Sequence, residues 1–561
     1  MASACSTRWT GASRPGSARW RRPSHAAPAT WSAGLGSAEV TDSAAPFFSI
    51  VTPVYEPPLD VLEEMIDSVL GQTDADLELI MVDDLSPSQG VRDVLRRAAA
   101  RDGRVVVVER EKNGGIVAAS NDGIDRARGE FIVLVDHDDL ITPDALAEMR
   151  TAIAEHPDAD YLYSDEDKVD DQGRHYDAFR KPDWSPERLR SQMYTSHLSV
   201  MRTSVVREVG GFRDGYDGSQ DHDLALRVSE KARQVHHIRK ILYHWRVVPG
   251  SAAGDPDAKP YAREAGRRAV DDHLKRLGLD AEAVQGPWPG TYKVIRRPDP
   301  DTTVSFVIPT RGGSGLVWGE RRVFVVEAVR SVLAKAKHPH LEIVVVYDTP
   351  TPPEVLEELR RIAGDRLVLI EYDRPFNFSA KCNVGFLHAT GDVIVFLNDD
   401  IEVRSDDFLR PLIAPLVEED VAAVGAHLSY EDDTLQHAGH IYHDGQAEHV
   451  FKGSRPGDVG PFTALVVAHE VSGLTAACVA VRREVVEEVG GFAESLPVNF
   501  NDVDFSLKLR ATGRRLVWLP EVKMYHFESR TRVAVVHHWE YEKLTARWSL
   551  DGDDPYLPGI G

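Results

Sequence analysis

NGGIVAASNDGIDRARGEFIVLVDHD, residues 113–138, and FNFSAKCNVGFLHATGDVIVFLNDD, residues 376–400, are one passage written twice. Asn121 and Asn383, Gly129 and Gly391, Asp138 and Asp400 stand at one constant spacing. The likeness extends outward in both directions. SIVTPVYE (49–56) answers SFVIPTRG (305–312), and LELIMVDDLSPS (77–88) answers LEIVVVYDTPTP (341–352). Downstream, VREVGGF (206–212) pairs with VEEVGGF (486–492), SQDHDLALR (219–227) with FNDVDFSLKLR (500–510), and LYHW (242–245) with MYHF (524–527). Landmarks recurring in one order mean a tandem duplication of a unit of about 200 to 230 residues, an ordinary domain size.

Within each copy, short apolar runs alternate with helix-like stretches. SIVTPV precedes LDVLEEMIDSVLGQ, LELIMVDD precedes VRDVLRRAAARDG, and FIVLVD follows a helical segment ending ARGE. Runs that are apolar throughout and rich in Val and Ile read as strands buried on both faces. Strand–helix alternation predicts an α/β fold with a mainly parallel sheet in each copy. The expected layout is a basic tail over 1–45, a first domain over 46–250, a helical connector over 251–300, a second domain over 301–530 and a tail over 531–561.

Composition narrows the function. With 561 residues, the chain exceeds one hydrophobic core. A net charge of −24 argues against a general grip on nucleic acid or on an anionic membrane surface. Cys5, Cys382 and Cys478 form neither a disulfide framework nor a metal-ligand spacing, which fits a reducing, cytoplasmic compartment. No apolar run approaches the roughly 18 to 20 residues of a membrane span.

The chemistry concentrates where strands end. VDD (82–84) and DHDD (136–139) both close apolar strands, and ligands of parallel sheets bind at the strands' carboxyl ends. In an extended segment Asp136 and Asp138 share a face, and carboxylate oxygens suit Mg²⁺ or Mn²⁺ carrying a phosphate-bearing substrate. D-x-D alone is weak, because acidic turns after strands are common. Its place at a strand end and its recurrence in the second copy favour a site.

Taken together, P-x-Y after the first strand, V-D-D-x-S, D-x-D, G-G-F, Q-D-x-D-L-x-L-R and Y-H-W-R resemble family 2 glycosyltransferases of the GT-A fold. The resemblance covers about 46–250 and 301–530, and the layout looks like tandem transferases of bacterial O-antigen or capsule assembly. It implies a nucleotide-diphosphate sugar donor and a glycan or polyprenyl-linked acceptor, the latter bringing the enzyme to the inner membrane face without a spanning helix. It assigns Pro53, Tyr55 and Asp84 to the nucleotide pocket, Asp136, Asp138 and His244 to the metal, and Asp221 to the general base of an inverting transfer. In the second copy the matching positions are Pro309 and Asp348, then Asn398, Asp400 and His526, then Asp502. The chemistry is consistent: a metal-neutralised diphosphate leaves without a protein acid, so a single carboxylate to deprotonate the acceptor hydroxyl suffices. The bland alternative for Asp221 is a helix cap; Asp223 and Asp504 suit that role better.

The copies are not identical. Asn398 replaces the first D-x-D carboxylate, Tyr347 stands where copy one has Asp83, and Arg311 follows Pro309 and Thr310 where copy one has Val54-Tyr55. Two unlike transferase sites are expected. The alternatives are a second copy that only holds the acceptor, and a sugar nucleotidyltransferase. The latter lacks its Gly-rich basic loop, since TPVYEPP (52–58) is not one. His437, His440, His443 and His449 crowd LQHAGHIYHDGQAEH without helical ligand spacing, so an acceptor-side loop is expected rather than a metal site.

Overall fold

Strand Phe48–Val54 and strand Leu77–Asp83 are buried almost throughout, and they pair in parallel from Phe48↔Leu77 to Val54↔Asp83. Around them a computed structural model describes residues 45–247, 260–527 and 536–557. The first sheet runs, in spatial order, 105–109, 77–83, 48–54, 131–134, 199–202, 159–169, 234–246 and 140–141. Its first four strands are parallel, 199–202 is antiparallel to both neighbours, and 159–169 lies parallel to 234–246. The second sheet repeats this order strand for strand: 367–372, 341–348, 304–310, 393–397, 478–482, 421–429, 515–526 and 401–403. Residues 45–561 cluster as one unit.

Helices cover the sheets by amphipathic spacing. Leu59–Leu70 buries Leu62, Met65, Ile66 and Val69, a pattern that puts one apolar stripe on the sheet. Each such side chain contributes about 1.5 to 3 kcal/mol by leaving water.

Most repeated landmarks turn out to be joints of this framework. Asn121 Nδ2 donates to Phe212 O at 2.9 Å while Phe212 N donates back to Asn121 Oδ1 at 2.8 Å. Asn383 makes the same pair with Phe492, at 3.0 and 2.8 Å. This ties a helix of the parallel half to the G-G-F turn, whose Gly211 and Gly491 have φ +64°. Gly129 N and Gly391 N donate to Ser49 Oγ and Ser305 Oγ, and a side chain at either glycine would collide with the first strand.

Between the sheets, helix Pro260–Arg276 leads to the hairpin Ala281–Gln285 and Tyr292–Arg296. Residues 251–259 of the expected connector and residues 1–44 of the expected tail lie outside the described residues. The copies meet across a buried charge network. Arg296 of the hairpin pairs with Glu187 at 2.5 Å and with Glu418 at 2.9 Å. Arg190 reaches Glu418 at 2.8 Å, and Arg515 reaches Glu470 at 2.6 Å. Glu470 in turn accepts from the Glu187 N–H at 3.0 Å. Beside it, Phe179 and Phe462 stack at 3.7 Å. The segment after 535 packs on copy two, where Glu540 accepts from Val498 N and Asn499 N. Cys382 and Cys478 are buried free thiols.

Candidate active site

The parallel strands 77–83, 48–54 and 131–134 are neighbours, so their carboxyl ends bring Asp84, Pro53 and Asp136 to one edge. Tyr55 follows there and is half exposed. Asp84 is fully engaged. Its oxygens accept from Gly114 N at 2.9 Å and Gly115 N at 2.7 Å, at the start of helix Gly115–Arg126, and from Arg110 at 2.5 Å. A carboxylate there meets the helix's unpaired N–H groups and its positive end. In copy two Asp348 pairs instead with the buried ammonium of Lys381 at 2.8 Å, which also donates to Thr310 O. Pro309 lies in the adjoining strand.

The acids of DHDD divide their labour. Asp139 is buried, bonded to Tyr243 Oη and to Arg246 N at 2.7 Å. Burial, then the charges of Asp136 and Asp138, drive its carboxyl well above the usual range. Burial also raises Asp138, with His137 pulling it down and Asp136 pushing it up. Oxygens of Asp136 and Asp139 and a ring nitrogen of His197 lie within 4.8 Å of one another. His197 stacks on Tyr243 at 4.4 Å and bonds Glu166 at 3.3 Å. Burial lowers its pKa, but Glu166 more than offsets that and lifts it to about 9. Glu166 itself is held at about 2, the Lys181 ammonium and His197 outweighing burial.

Asp221 faces this group from the first turn of helix Gln220–Ser229, whose N-cap is Ser219, so Asp221 is not the cap. Gln220 Nε2 donates to it at 2.9 Å. Protein crowds the carboxyl although one side stays open to solvent. That crowding, then the charge of Asp136, pushes its pKa up to about 6. Asp223, two residues on, is buried in ion pairs with Arg213 and Arg227.

In copy two Asn398 Nδ2 lies 3.2 Å from His526 Nε2, which lies 3.2 Å from Asp400 Oδ1. His526 Nδ1 meets the acceptor oxygen of Gln436 at 2.7 Å, so Nδ1 carries the proton and the Nε2 lone pair accepts from Asn398 Nδ2. Asn398 Oδ1 is buried without a hydrogen-bond partner. A lone-pair nitrogen, a carboxylate oxygen and an orphaned amide oxygen fit a divalent cation. Adjacent ligands of a six-coordinate ion bound at about 2.1 Å stand about 3 Å apart. Asp399, bonded to Thr310 Oγ1 at 2.6 Å, is pushed up to about 7 by burial and then by Asp400. Asp502 lies in the first turn of helix Asn501–Ala511.

The two copies place their late histidine differently. His526 sits on Asp400, whereas His244 Nδ1 bonds Asp167 at 2.6 Å, with His175 alongside. Strand pairing supplies the reason. Ile401, directly after Asp400, opposes His526, but copy one inserts Asp139 before Leu140, which opposes His244. Asp138 is therefore one residue further from its histidine. The residues that sequence reasoning missed are Asp139, Glu166, His197 and Tyr243. Asp139 and Tyr243 lay inside stretches already singled out, DHDD (136–139) and LYHW (242–245), and the signal for Glu166 was SDED (164–167), acids inside a strand that is buried almost throughout.

A cavity of about 560 Å³ lies between the connector hairpin and copy two, lined by Tyr292, Arg296, Arg410 and Glu521, and contains none of these site residues.

Among known proteins, the model described as glycosyl transferase family 2 matches residues 49–210 and 305–490. Uncharacterized protein y4gI of Sinorhizobium fredii is 42% identical over 494 residues, covering 87% of this chain and 54% of that protein. O-antigen biosynthesis protein RfbC of Myxococcus xanthus is 36% identical over 520 residues, covering 92% of this chain and 40% of that protein. The chain thus spans about half the length of these relatives. The solved structure of S. aureus TarS 1-349 in complex with UDP-GlcNAc aligns over 41% of this chain and 66% of that one, at 21% identity. Its TM-score is 0.33. The two matched segments fall on the two sheets, one on each, and the chain belongs to glycosyl transferase family 2.

Proposed function

We propose that the chain is an inverting glycosyltransferase that moves sugars from nucleotide-diphosphate donors to a growing glycan or polyprenyl-linked acceptor in surface-polysaccharide synthesis. The observation that carries the reading is the seat of Asp221 in the first turn of its helix, where its carboxyl and the charges of strand-end Asp136 and of His197 act on one another; crowding, then Asp136, raises that carboxyl to about 6. A base near its working pH takes the acceptor proton efficiently. Asp221 abstracts that proton in copy one, and Asp502 does so in copy two. Asp136 and Asp138, with His244 on the adjoining strand, would hold Mg²⁺ or Mn²⁺ in copy one; Asn398, Asp400 and His526 would hold it in copy two. A cation held there would supply positive charge to the departing diphosphate. Pro53, Tyr55, Asp84, Pro309 and Asp348 shape the nucleotide end, Asp84 by fixing the Gly114–Gly115 backbone. Among the described residues no helix is long and apolar enough to cross a membrane. The proposed place of action is the cytoplasmic side, with peripheral contact to the inner membrane face.

The test is a screen of nucleotide sugars with Mn²⁺ on the wild type, Asp221→Asn and Asp502→Asn. Loss of one transfer step in each variant supports two active sites. No turnover with any donor, and no metal-dependent nucleotide binding, refutes the reading. Asn398 favours one second reading, in which copy two only holds the acceptor; Asp502→Asn then leaves every transfer step intact.

A further inference from the structure

Three histidines that the sequence scatters over thirteen positions come together beside the site of copy two. His437 ends strand Leu435–His437, His440 opens strand His440–His443, and His449 closes strand Gln446–His449. The last two strands form a hairpin that sets His440 directly opposite His449. Ring nitrogens of all three lie within 4.8 Å of one another. The ring centres are 4.8 to 5.0 Å apart, and each pair of planes crosses at 75° to 81°. Edge-to-face angles are ordinary for packed rings; what packing does not require is one nitrogen of each ring within reach of a shared ion.

We propose that His437, His440 and His449 bind a divalent cation of the Zn²⁺ class, separate from any Mg²⁺ or Mn²⁺ at Asn398, Asp400 and His526. The donor set decides the class. Three imidazoles with no carboxylate suit zinc and its borderline neighbours, while Mg²⁺ and Mn²⁺ seek oxygen. Hydrogen bonding leaves the cluster incompletely explained. His437 Nδ1 and His449 Nδ1 stand 2.8 Å apart and can share only one proton, and His440 Nδ1 is buried with no partner. His437 is 1% and His440 3% exposed, and leaving the buried His440 Nδ1 without a partner is costly. Burial holds the three neutral, the form that ligates. Loading the metal parts the two close nitrogens to about 3.3 Å, the spacing of tetrahedral ligands at about 2.0 Å. It also gives up the long 3.3 Å approach of Thr475 N to His437 Nε2. Three protein ligands leave a fourth position open, as in catalytic rather than structural zinc sites. The cluster adjoins the proposed chemistry: the charge of Asp502 acts on His449, and Gln436, next to His437, holds His526.

The experiment uses the untagged full chain, stripped with chelator and titrated with Zn²⁺ alone by calorimetry, and with Co²⁺ by visible absorption. Neither readout depends on sugar transfer, so the outcome is independent of the proposed function. One tight Zn²⁺ equivalent is expected, with the intense bands of four-coordinate Co²⁺. His440→Gln and His449→Gln should each weaken Zn²⁺ binding by about a hundredfold or more, and Asp400→Asn should leave it unchanged. The wild-type Co²⁺ spectrum decides the matter even if a variant fails to fold. Absence of tight Zn²⁺ binding, a six-coordinate Co²⁺ spectrum, or affinity that follows Asp400 rather than the histidines overturns the proposal.

Discussion

Lowering the pH from 7 to 5 should switch off sugar transfer by copy one. A carboxyl with a pKa of about 6 is about nine-tenths ionised at pH 7 and about one-tenth at pH 5. If Asp221 is the base, kcat/KM therefore falls about tenfold across that range. An ordinary aspartate, titrating near 3.8, would lose less than about a tenth of its ionised form at pH 5. The two cases are well separated. The free-enzyme profile is the one to measure, because a cation held by Asp136 cancels part of the repulsion that raises Asp221. The assay follows release of nucleoside diphosphate at low donor concentration, in an Asp502→Asn background that isolates copy one. Asp221→Asn in the same background should lower the rate by about 10² to 10⁴ and abolish the acid limb. A profile flat between pH 5 and 7, or an Asp221→Asn enzyme retaining more than a tenth of the rate, refutes the assignment.

Asn121→Ala and Asn383→Ala should each destabilise their own copy by about 2 to 4 kcal/mol, since each removes the two bonds to its G-G-F turn and strands a buried N–H and carbonyl; Asn383 also loses an exposed bond to Glu494 Oε1 that adds little. Hydrogen exchange at the Phe212 and Phe492 amides reads the two copies separately, and equal losses are expected. Glu187→Gln leaves Arg296 and Arg190 facing a neutral partner in a buried interface and should cost about 3 to 5 kcal/mol by urea denaturation. Asn398→Asp restores a charged ligand and should raise Mn²⁺ affinity at copy two about tenfold or more, measured by Mn²⁺ paramagnetic resonance. Asp221→Asn should also raise stability at pH 7 more than at pH 5. The native carboxyl holds its proton more tightly than the unfolded one, so stability is lost as pH rises from about 4 through about 6, and the loss is complete at pH 7 but only partial at pH 5.

The sheets were legible because strands such as LELIMVD carry their burial in their composition, and because everything is said twice. The repeat alone does not say why a landmark recurs: Asn121, Gly129 and G-G-F turn out to be joints of the framework. The strand-end position of Asp136 followed from its apolar approach. The extra Asp139 did not, because a one-residue insertion shows only when strand pairing fixes the register. Asp84 read as a nucleotide contact, yet two backbone N–H groups and Arg110 surround it, partners that side-chain patterns cannot reveal. The histidines of copy two defied a helical spacing rule because a hairpin, not a helix, assembles them.

The charged joint between the copies constrains how a polysaccharide could grow. An apolar joint tolerates sliding, but Glu187, Arg190, Arg296, Glu418, Glu470 and Arg515 satisfy one another in a single register, and any slip leaves a bare charge in a dry place. The two cleft mouths are thereby held at one angle. If both copies transfer as proposed, a glycan end passing from one to the other must do its own bending, so the flexibility of its linkages would become a selection rule for the product.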